Sequence, residues 1–158
     1  ALSTGYASIF RLILGLSVNT PYLFFDEPVL GLDAQHRDMF YRELLTRYAE
    51  RPCTMVISTH LIAEAADLIE HAVIIRNGKI LKDCPRDELT ADAYTVSGPA
   101  GAVDKYIEGK HVLSASILGG LKTASVQGAR GTVPDGLEAS PINLQDYFIC
   151  LMEEEDRK

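Results

Sequence analysis

Hydrophobic residues in the first half of the chain follow two different spacings. Residues 3–18 are apolar nearly all round, which predicts a buried helix. The short apolar segments 22–25 and 54–58 predict strands that are covered on both faces. Apolar residues recur at helical spacing over residues 34–48, after a turn at Gly31, and a shorter helix is predicted over 61–69.

A third strand is predicted over residues 72–75. The order strand, helix, strand, helix, strand predicts a parallel sheet, so the fold class is α/β. Asn77-Gly78 separates the third strand from residues 79–81, and this dipeptide predicts a β-hairpin.

Past Pro85 the pattern changes and predicts a small, separate α/β unit. Its elements are strands over 93–97, 111–117 and 121–126, a helix over 99–107, and a loop rich in glycine, proline and serine over 128–141. A final helix is predicted to begin after Asn143, with Asp146 at the capping-box position and Ile142 packed onto Tyr147. We therefore expect two regions, 1–85 and 86–158.

Composition and charge narrow the class of protein. The 158 residues are 47% hydrophobic and 23% charged, which is the balance of a soluble globular protein. The net charge of −7 disfavours long-range attraction to nucleic acid. Cys53, Cys84 and Cys150 form no CxxC pair, which is typical of a reduced, intracellular protein. No apolar run approaches the roughly 18 residues of a membrane-spanning helix.

Asp26 and Glu27 directly follow the first predicted strand. Two carboxylates at the end of a buried strand are costly unless a cation meets them. A magnesium nucleotide is the usual solution, since the first carboxylate can support the metal and the second can orient or deprotonate a water. The alternative is a strand followed by an acidic turn.

Polar groups also follow the second predicted strand, which ends in Ser58-Thr59-His60. Ligands of open α/β sheets bind beyond the carboxyl ends of parallel strands, where His60 could donate a hydrogen bond to a phosphate. The alternative is a solvated turn residue.

Ser3, Thr4 and Gly5 precede the first helix, and small residues at a helix N-terminus form an anion-binding geometry. The alternative is a plain serine N-cap.

Taken in order, these segments resemble the C-terminal half of an ATP-binding-cassette (ABC) ATPase domain, over residues 1 to about 85. Residues 57–80 are typical of the motor subunits of bacterial transporters, and residues 143–152 resemble the closing helix of exporter-type ATPases. The segments match the family's signature motif (Leu2-Ser3-Thr4-Gly5), Walker B pair (Asp26, Glu27), D-loop (Gly31-Leu32-Asp33) and switch histidine (His60).

The resemblance implies a partial P-loop NTPase fold and a role for each matched residue. Glu27 would be the general base, Asp26 would hold Mg²⁺ through water, and His60 would contact the γ-phosphate of ATP. Asp33 would connect two subunits across their interface. Contacts to an ATP held by the opposite subunit would come from the signature residues Ser3, Thr4 and Gly5.

The implied partners are a second ATPase subunit and a transmembrane permease, without nucleic acid. The implied location is cytoplasmic, peripheral on the inner face of the cell membrane. The signature departs from the family pattern at Thr4 and at Tyr6, which replaces the usual glutamine and could alter contact with the partner's nucleotide.

No GxxxxGK[ST] phosphate loop occurs in the 158 residues, and the chain opens inside the signature motif. We therefore expect the C-terminal part of an ABC ATPase, which binds ATP poorly, does not hydrolyse it alone and exposes apolar surface.

Two other functions stay open at this level. A soluble ABC-type ATPase of DNA repair or translation would use the same motifs, although the acidic charge argues against it. A non-enzymatic interaction module would carry the motifs as relics. The transported substrate is not determined by the sequence, and the closing helix favours export.

Overall fold

The structure is a computed structural model that describes residues 4–156, and for Thr4 and Gly5 it describes the backbone only. The chain divides into two compact units, one ending at Leu61 and the other starting at Ile62. The first unit contains α1 (Thr4–Ser17), β1 (Tyr22–Asp26), α2 (Ala34–Glu50) and β2 (Thr54–Ser58). The second contains α3 (Ile62–Ala65), β3 (His71–Arg76), β4 (Lys79–Pro85), α4 (Arg86–Leu89), β5 (Ala93–Pro99), α5 (Ala100–Ile107), β6 (His111–Leu118), β7 (Leu121–Gln127), β8 (Glu138–Pro141) and α6 (Leu144–Asp156).

In the first unit, β1 and β2 pair in parallel, as predicted. Their register runs from Tyr22 opposite Thr54 to Asp26 opposite Ser58. Because parallel strands need a crossover connection, the chain between them forms α2, whose N-cap is Asp33. The carboxyl ends of both strands therefore lie at the same edge of the sheet.

The core of the first unit lies on one face of this sheet. Leu23 and Phe25 of β1 are buried there together with Phe40 and Leu44 of α2. The Phe25 and Phe40 rings meet edge to face, with centroids 5.6 Å apart, a favoured arrangement for aromatic pairs. Burial of these side chains fixes α2 against the two strands.

The other face of the sheet is open, so the prediction of strands covered on both faces was wrong for the described chain. Tyr22, Phe24 and Val56 are 61%, 75% and 42% exposed. Alternate residues of a strand point to opposite faces, and within residues 4–156 the first unit covers only the face that carries Leu23 and Phe25.

The first helix is also less buried than its composition predicted. Phe10, Ile13 and Leu14 of α1 are each more than half exposed. The helix contacts α2 along one side, and a helix that is apolar all round is buried only if neighbours surround it. These side chains agree with the expectation that the chain exposes apolar surface.

In the second unit, β3 and β4 form the predicted hairpin around Asn77 and Gly78. Both residues have positive φ, 49° and 74°, as a two-residue type I′ turn requires. Because so short a turn reverses the chain locally, β3 pairs with β4 in an antiparallel sense. The expectation that residues 72–75 add a third strand to a parallel sheet was therefore wrong, since within residues 4–156 the strand paired with β3 is the antiparallel β4.

The remaining strands form an antiparallel sheet in the order β6-β7-β5-β8. The predicted strands at 93–97, 111–117 and 121–126 are present. Residues 138–141 form β8, however, within the segment predicted as a loop. This four-residue strand has no hydrophobic alternation of its own and is held by pairing with β5. One face of the sheet packs on α5, where Val103, Val96 and Ala124 are fully buried.

The last helix begins as predicted. The Asp146 N–H donates to Asn143 Oδ1 at 2.8 Å, and Asn143 Nδ2 donates to Asp146 Oδ2 at 2.7 Å. Ile142 and Tyr147 are both buried in one core cluster. This cap orients α6 so that its apolar face enters the core.

That core cluster also contains Ile74 of the β3–β4 hairpin. Residues 62–85 therefore pack with the C-terminal elements. The division into regions 1–85 and 86–158 is a different boundary, placed where the family resemblance ends, and it stays a prediction. The predicted helix over 61–69 is shorter, with α3 spanning Ile62–Ala65. Among the described helices, none combines the length and the apolar character that crossing a membrane requires.

Candidate functional site

The acidic pair lies where β1 ends, and the backbone turns sharply there. Asp26 is the last residue of the strand and is exposed. Glu27 has a φ of 45°, in the left-handed region that non-glycine residues rarely occupy. Its N–H donates to Ser58 O at 2.8 Å, and its carbonyl accepts from Leu30 N at 3.1 Å. Strained backbone held by its surroundings in this way is a recurrent feature of functional sites.

The structure places Glu27 in direct contact with His60. The His60 N–H donates to Glu27 Oε1 at 3.1 Å, and His60 Nδ1 lies 2.7 Å from the same oxygen. Because an ionised carboxylate only accepts hydrogen bonds, Nδ1 carries the proton in this pair. The Nε2 atom is the part of the ring left for another partner, and the side chain is 63% exposed.

Thr59 completes the environment of the carboxylate. Its hydroxyl donates to Glu27 Oε2 at 3.2 Å and accepts from Leu61 N at 3.0 Å. The sequence pattern predicts no role for Thr59, which lies in the segment Ser58-Thr59-His60. The available signal was a hydroxyl residue beside the candidate histidine at the end of a strand.

These contacts control the charge of Glu27. The hydrogen bond from the His60 side chain is the largest influence and lowers the pKa of Glu27 below its ordinary value. Partial burial acts in the opposite direction, and the Thr59 hydroxyl lowers the pKa further. Glu27 is therefore ionised at neutral pH. A charged carboxylate in a fixed orientation is what a general base requires.

Asp33 lies at the N-terminus of α2 and acts there as a helix cap. Its Oδ1 accepts from His36 N at 2.9 Å, and His36 Nδ1 lies 2.8 Å from each carboxylate oxygen. The backbone hydrogen bond from His36 is the first cause that lowers the pKa of Asp33. The side chain remains 66% exposed, so the cap leaves it accessible.

The signature segment is described only in part. Ser3 lies outside the described residues, and the backbone of Thr4 and Gly5 forms the start of α1. The predicted contacts of these three residues with ATP stay predictions.

Asp26 offers a single carboxylate to a metal ion. Within residues 4–156, no group of three or more His, Cys, Asp or Glu side chains is placed to hold one. Mg²⁺ in nucleotide sites is commonly bound by one or two protein carboxylates together with phosphate oxygens and water. The donor set of this chain therefore fits a magnesium ion that arrives with a nucleotide.

Comparison with known proteins adds an independent observation. The chain is 33% identical over 89 residues to the ABC transporter ATP-binding protein AlbC of Bacillus subtilis. It is 37% identical over 67 residues to the bacitracin transport ATP-binding protein BcrA of Bacillus licheniformis. It is 35% identical over 86 residues to the aliphatic sulfonates import ATP-binding protein SsuB of Rhodopseudomonas palustris. No protein-family model matches the chain.

The matched part of the chain is similar to the ATP-binding proteins of ABC transporters. The three alignments cover 56%, 42% and 54% of this chain, and 37%, 22% and 31% of the respective relatives. The chain therefore covers no more than 37% of the length of any of these three ATP-binding proteins. Because their names include an import protein and a bacitracin transport protein, the similarity does not favour one direction of transport.

Proposed function

We propose that this chain is the C-terminal part of the ATP-hydrolysing motor subunit of a bacterial ABC transporter. The observation that carries the proposal is the contact between Glu27 and His60 at the end of two parallel strands. An ionised carboxylate beside an exposed imidazole is suited to accept a proton from water next to a terminal phosphate.

In the proposed reaction Glu27 accepts a proton from the water whose oxygen attacks the γ-phosphorus. The bond from that phosphorus to the bridging oxygen breaks, and its electron pair leaves with ADP. His60 contacts the γ-phosphate through the ring nitrogen that does not face Glu27. That nitrogen donates to the phosphate when the ring carries both protons. Asp26 would hold the magnesium ion, which supplies charge neutralisation for the phosphates.

The remaining proposed roles are those that the resemblance to ABC ATPases implies. Ser3, Thr4 and Gly5 would contact the nucleotide of a second ATPase subunit, and Asp33, held at the start of α2, would face that subunit. Closure of the two subunits over ATP would move a transmembrane permease, with the motor peripheral on the inner face of the cell membrane. The resemblance of residues 143–152 to exporter-type ATPases supports export as the direction. The described chain alone, without a phosphate loop, would not hydrolyse ATP.

The test is ATP hydrolysis by the complete protein that contains this chain. Glu27→Gln should lower kcat by at least 100-fold, the typical contribution of a general base. Glu50→Gln, at the exposed end of α2, is the matched control and should leave kcat unchanged. ATP hydrolysis that survives Glu27→Gln would contradict the role of Glu27 as general base. A complete protein without any ATP hydrolysis would contradict the proposed ATPase function.

A second experiment distinguishes a transporter subunit from a soluble ATPase. Affinity purification of the complete protein from detergent-solubilised membranes should recover a polytopic permease. Recovery of nucleic-acid repair or ribosomal proteins in its place would support the soluble class of ABC ATPase.

A further inference from the structure

The hydrogen bonds at the Glu27 carboxylate are distributed unevenly between its two oxygens. Oε1 receives two donors, His60 N and His60 Nδ1, whereas Oε2 receives one, the Thr59 hydroxyl. An ionised carboxylate offers roughly four lone-pair sites, two on each oxygen. The site that remains for a water is therefore on Oε2, beside Thr59.

The direction of the Thr59 hydroxyl is also fixed. Leu61 N donates to Thr59 Oγ1 at 3.0 Å, so this oxygen is an acceptor toward Leu61. Its single hydrogen is then free to be donated to Glu27 Oε2, 3.2 Å away. Threonine is branched at Cβ and its χ1 angle is stiff, so the donor changes direction little.

We propose that Thr59 is a positioning residue, which turns the Glu27 carboxylate so that the open side of Oε2 faces the reacting water. This inference rests on the proposed function of Glu27 as general base and adds a residue that sets its orientation. Without the Thr59 donor, Oε1 is still held by His60. Oε2 can then accept hydrogen bonds from two waters, which do not fix its orientation. The carboxylate plane then loses one of its two anchors.

The first experiment uses the complete protein that contains this chain and needs no catalytic activity. Crystal structures of the wild type, Thr59→Val and Thr59→Ser compare the orientation of the Glu27 carboxylate. In Thr59→Val, which keeps the shape but removes the donor, we expect Oε2 to move by about 1 Å or to occupy two positions, the scale of misplacement that affects catalysis. Thr59→Ser should keep the wild-type orientation. An unchanged carboxylate plane in Thr59→Val would overturn the proposal.

The second experiment measures kinetics in the complete protein. Thr59→Val should lower kcat for ATP hydrolysis roughly 10-fold to 100-fold, with KM for ATP changed less than about three-fold, because the nucleotide is held by other groups. Thr59→Ser should recover kcat to within about three-fold of wild type. Thr54→Val makes the same substitution at the exposed start of β2 and should match the wild type.

The two failures are distinguishable. If Glu27→Gln abolishes hydrolysis while Thr59→Val keeps the wild-type kcat, the proposed function stands and the role of Thr59 is wrong. Equal impairment by Thr59→Ser and Thr59→Val would also overturn it, since serine retains the donor. If the complete protein does not hydrolyse ATP, the proposed function fails, and the crystal structures still decide whether Thr59 orients Glu27.

Discussion

His60 Nδ1 lies 2.7 Å from Glu27 Oε1, although 33 positions separate the two residues in the chain. Parallel pairing of β1 with β2 brings Asp26 opposite Ser58, and each candidate residue follows its strand by one or two positions. The contact is therefore a consequence of strand register. A shift of one residue in this register would turn the side chains of one strand to the opposite face of the sheet.

Removal of the His60 ring should raise the pKa of Glu27. The His60 side chain is the largest cause of the lowered pKa, so His60→Ala moves it toward its ordinary value. A carboxylate whose pKa is lowered by folding adds stability above its ordinary pKa, and this stability is lost as pH falls through the folded value. The difference in unfolding free energy between wild type and His60→Ala should therefore become smaller as pH falls through the folded pKa of Glu27.

Carboxyl ¹³C NMR titration of Glu27 measures this change. His36→Ala removes the imidazole beside Asp33 and is the control, because it should leave the Glu27 midpoint in place. Equal Glu27 midpoints in wild type and His60→Ala would show that the contact does not persist in solution.

Arg47 is expected to be important for the stability of the first unit. Its guanidinium is buried and donates to the carbonyls of Leu16 and Val18 at 3.2 Å each, and to that of Arg51. The carbonyl ends of α1 and α2 are partly negative, which compensates for the buried charge. Arg47→Met should lower the unfolding free energy by about 2–3 kcal/mol, because these three carbonyls lose a charged hydrogen-bond donor. Urea denaturation measures the loss.

The matched control for Arg47 lies on the same helix. Arg42 pairs with Asp38 four residues earlier, and both side chains are mostly exposed. Because exposed pairs contribute little, Arg42→Met should cost about 0.5 kcal/mol or less. Equal losses in the two variants would mean that the Arg47 contacts do not stabilise the fold.

Two glycines of the second unit should respond to alanine in opposite directions. A Cβ at Gly98 would lie 2.5 Å from Leu137 Cδ2 and 3.0 Å from Gly136 O, so Gly98→Ala should destabilise by about 1–3 kcal/mol. At Gly101, inside α5, no atom lies within 4 Å of the added Cβ apart from the two neighbouring residues and the backbone of the helix itself. Gly101→Ala should stabilise by about 0.5–1 kcal/mol, because alanine loses less backbone entropy in a helix. Thermal denaturation of both variants checks the signs, and a shift of both melting temperatures in the same direction would contradict this packing.

Asn143 should contribute to stability as the cap of α6. Asn143→Ala removes the acceptor for the Asp146 N–H and should cost about 1 kcal/mol. Asn143→Ser keeps an acceptor oxygen and should lose a few tenths of a kcal/mol at most. Urea denaturation of the two variants measures the difference, and comparable destabilisation by both would indicate that the side chain acts through packing rather than capping.

Local chemistry in the sequence was sufficient to predict several elements. Asn77-Gly78 predicted the hairpin because both positions need positive φ, and Asn143 with Asp146 predicted the start of α6. The two apolar segments followed by acidic or hydroxyl residues predicted parallel strands that end beside each other. Glu27 and His60 could be named from the sequence because motif order fixes which strand each residue follows.

Tertiary structure alone decided the features that depend on residues distant in sequence. Phe24 and Phe25 are adjacent and identical in type, yet one is exposed and the other buried, because packing covers one face of β1. Residues 138–141 become β8 only by pairing with β5, and Thr59 acts on Glu27 only because β2 lies beside β1. Propensity and spacing act over a few residues, whereas burial and hydrogen bonding between strands are set by which elements pack together.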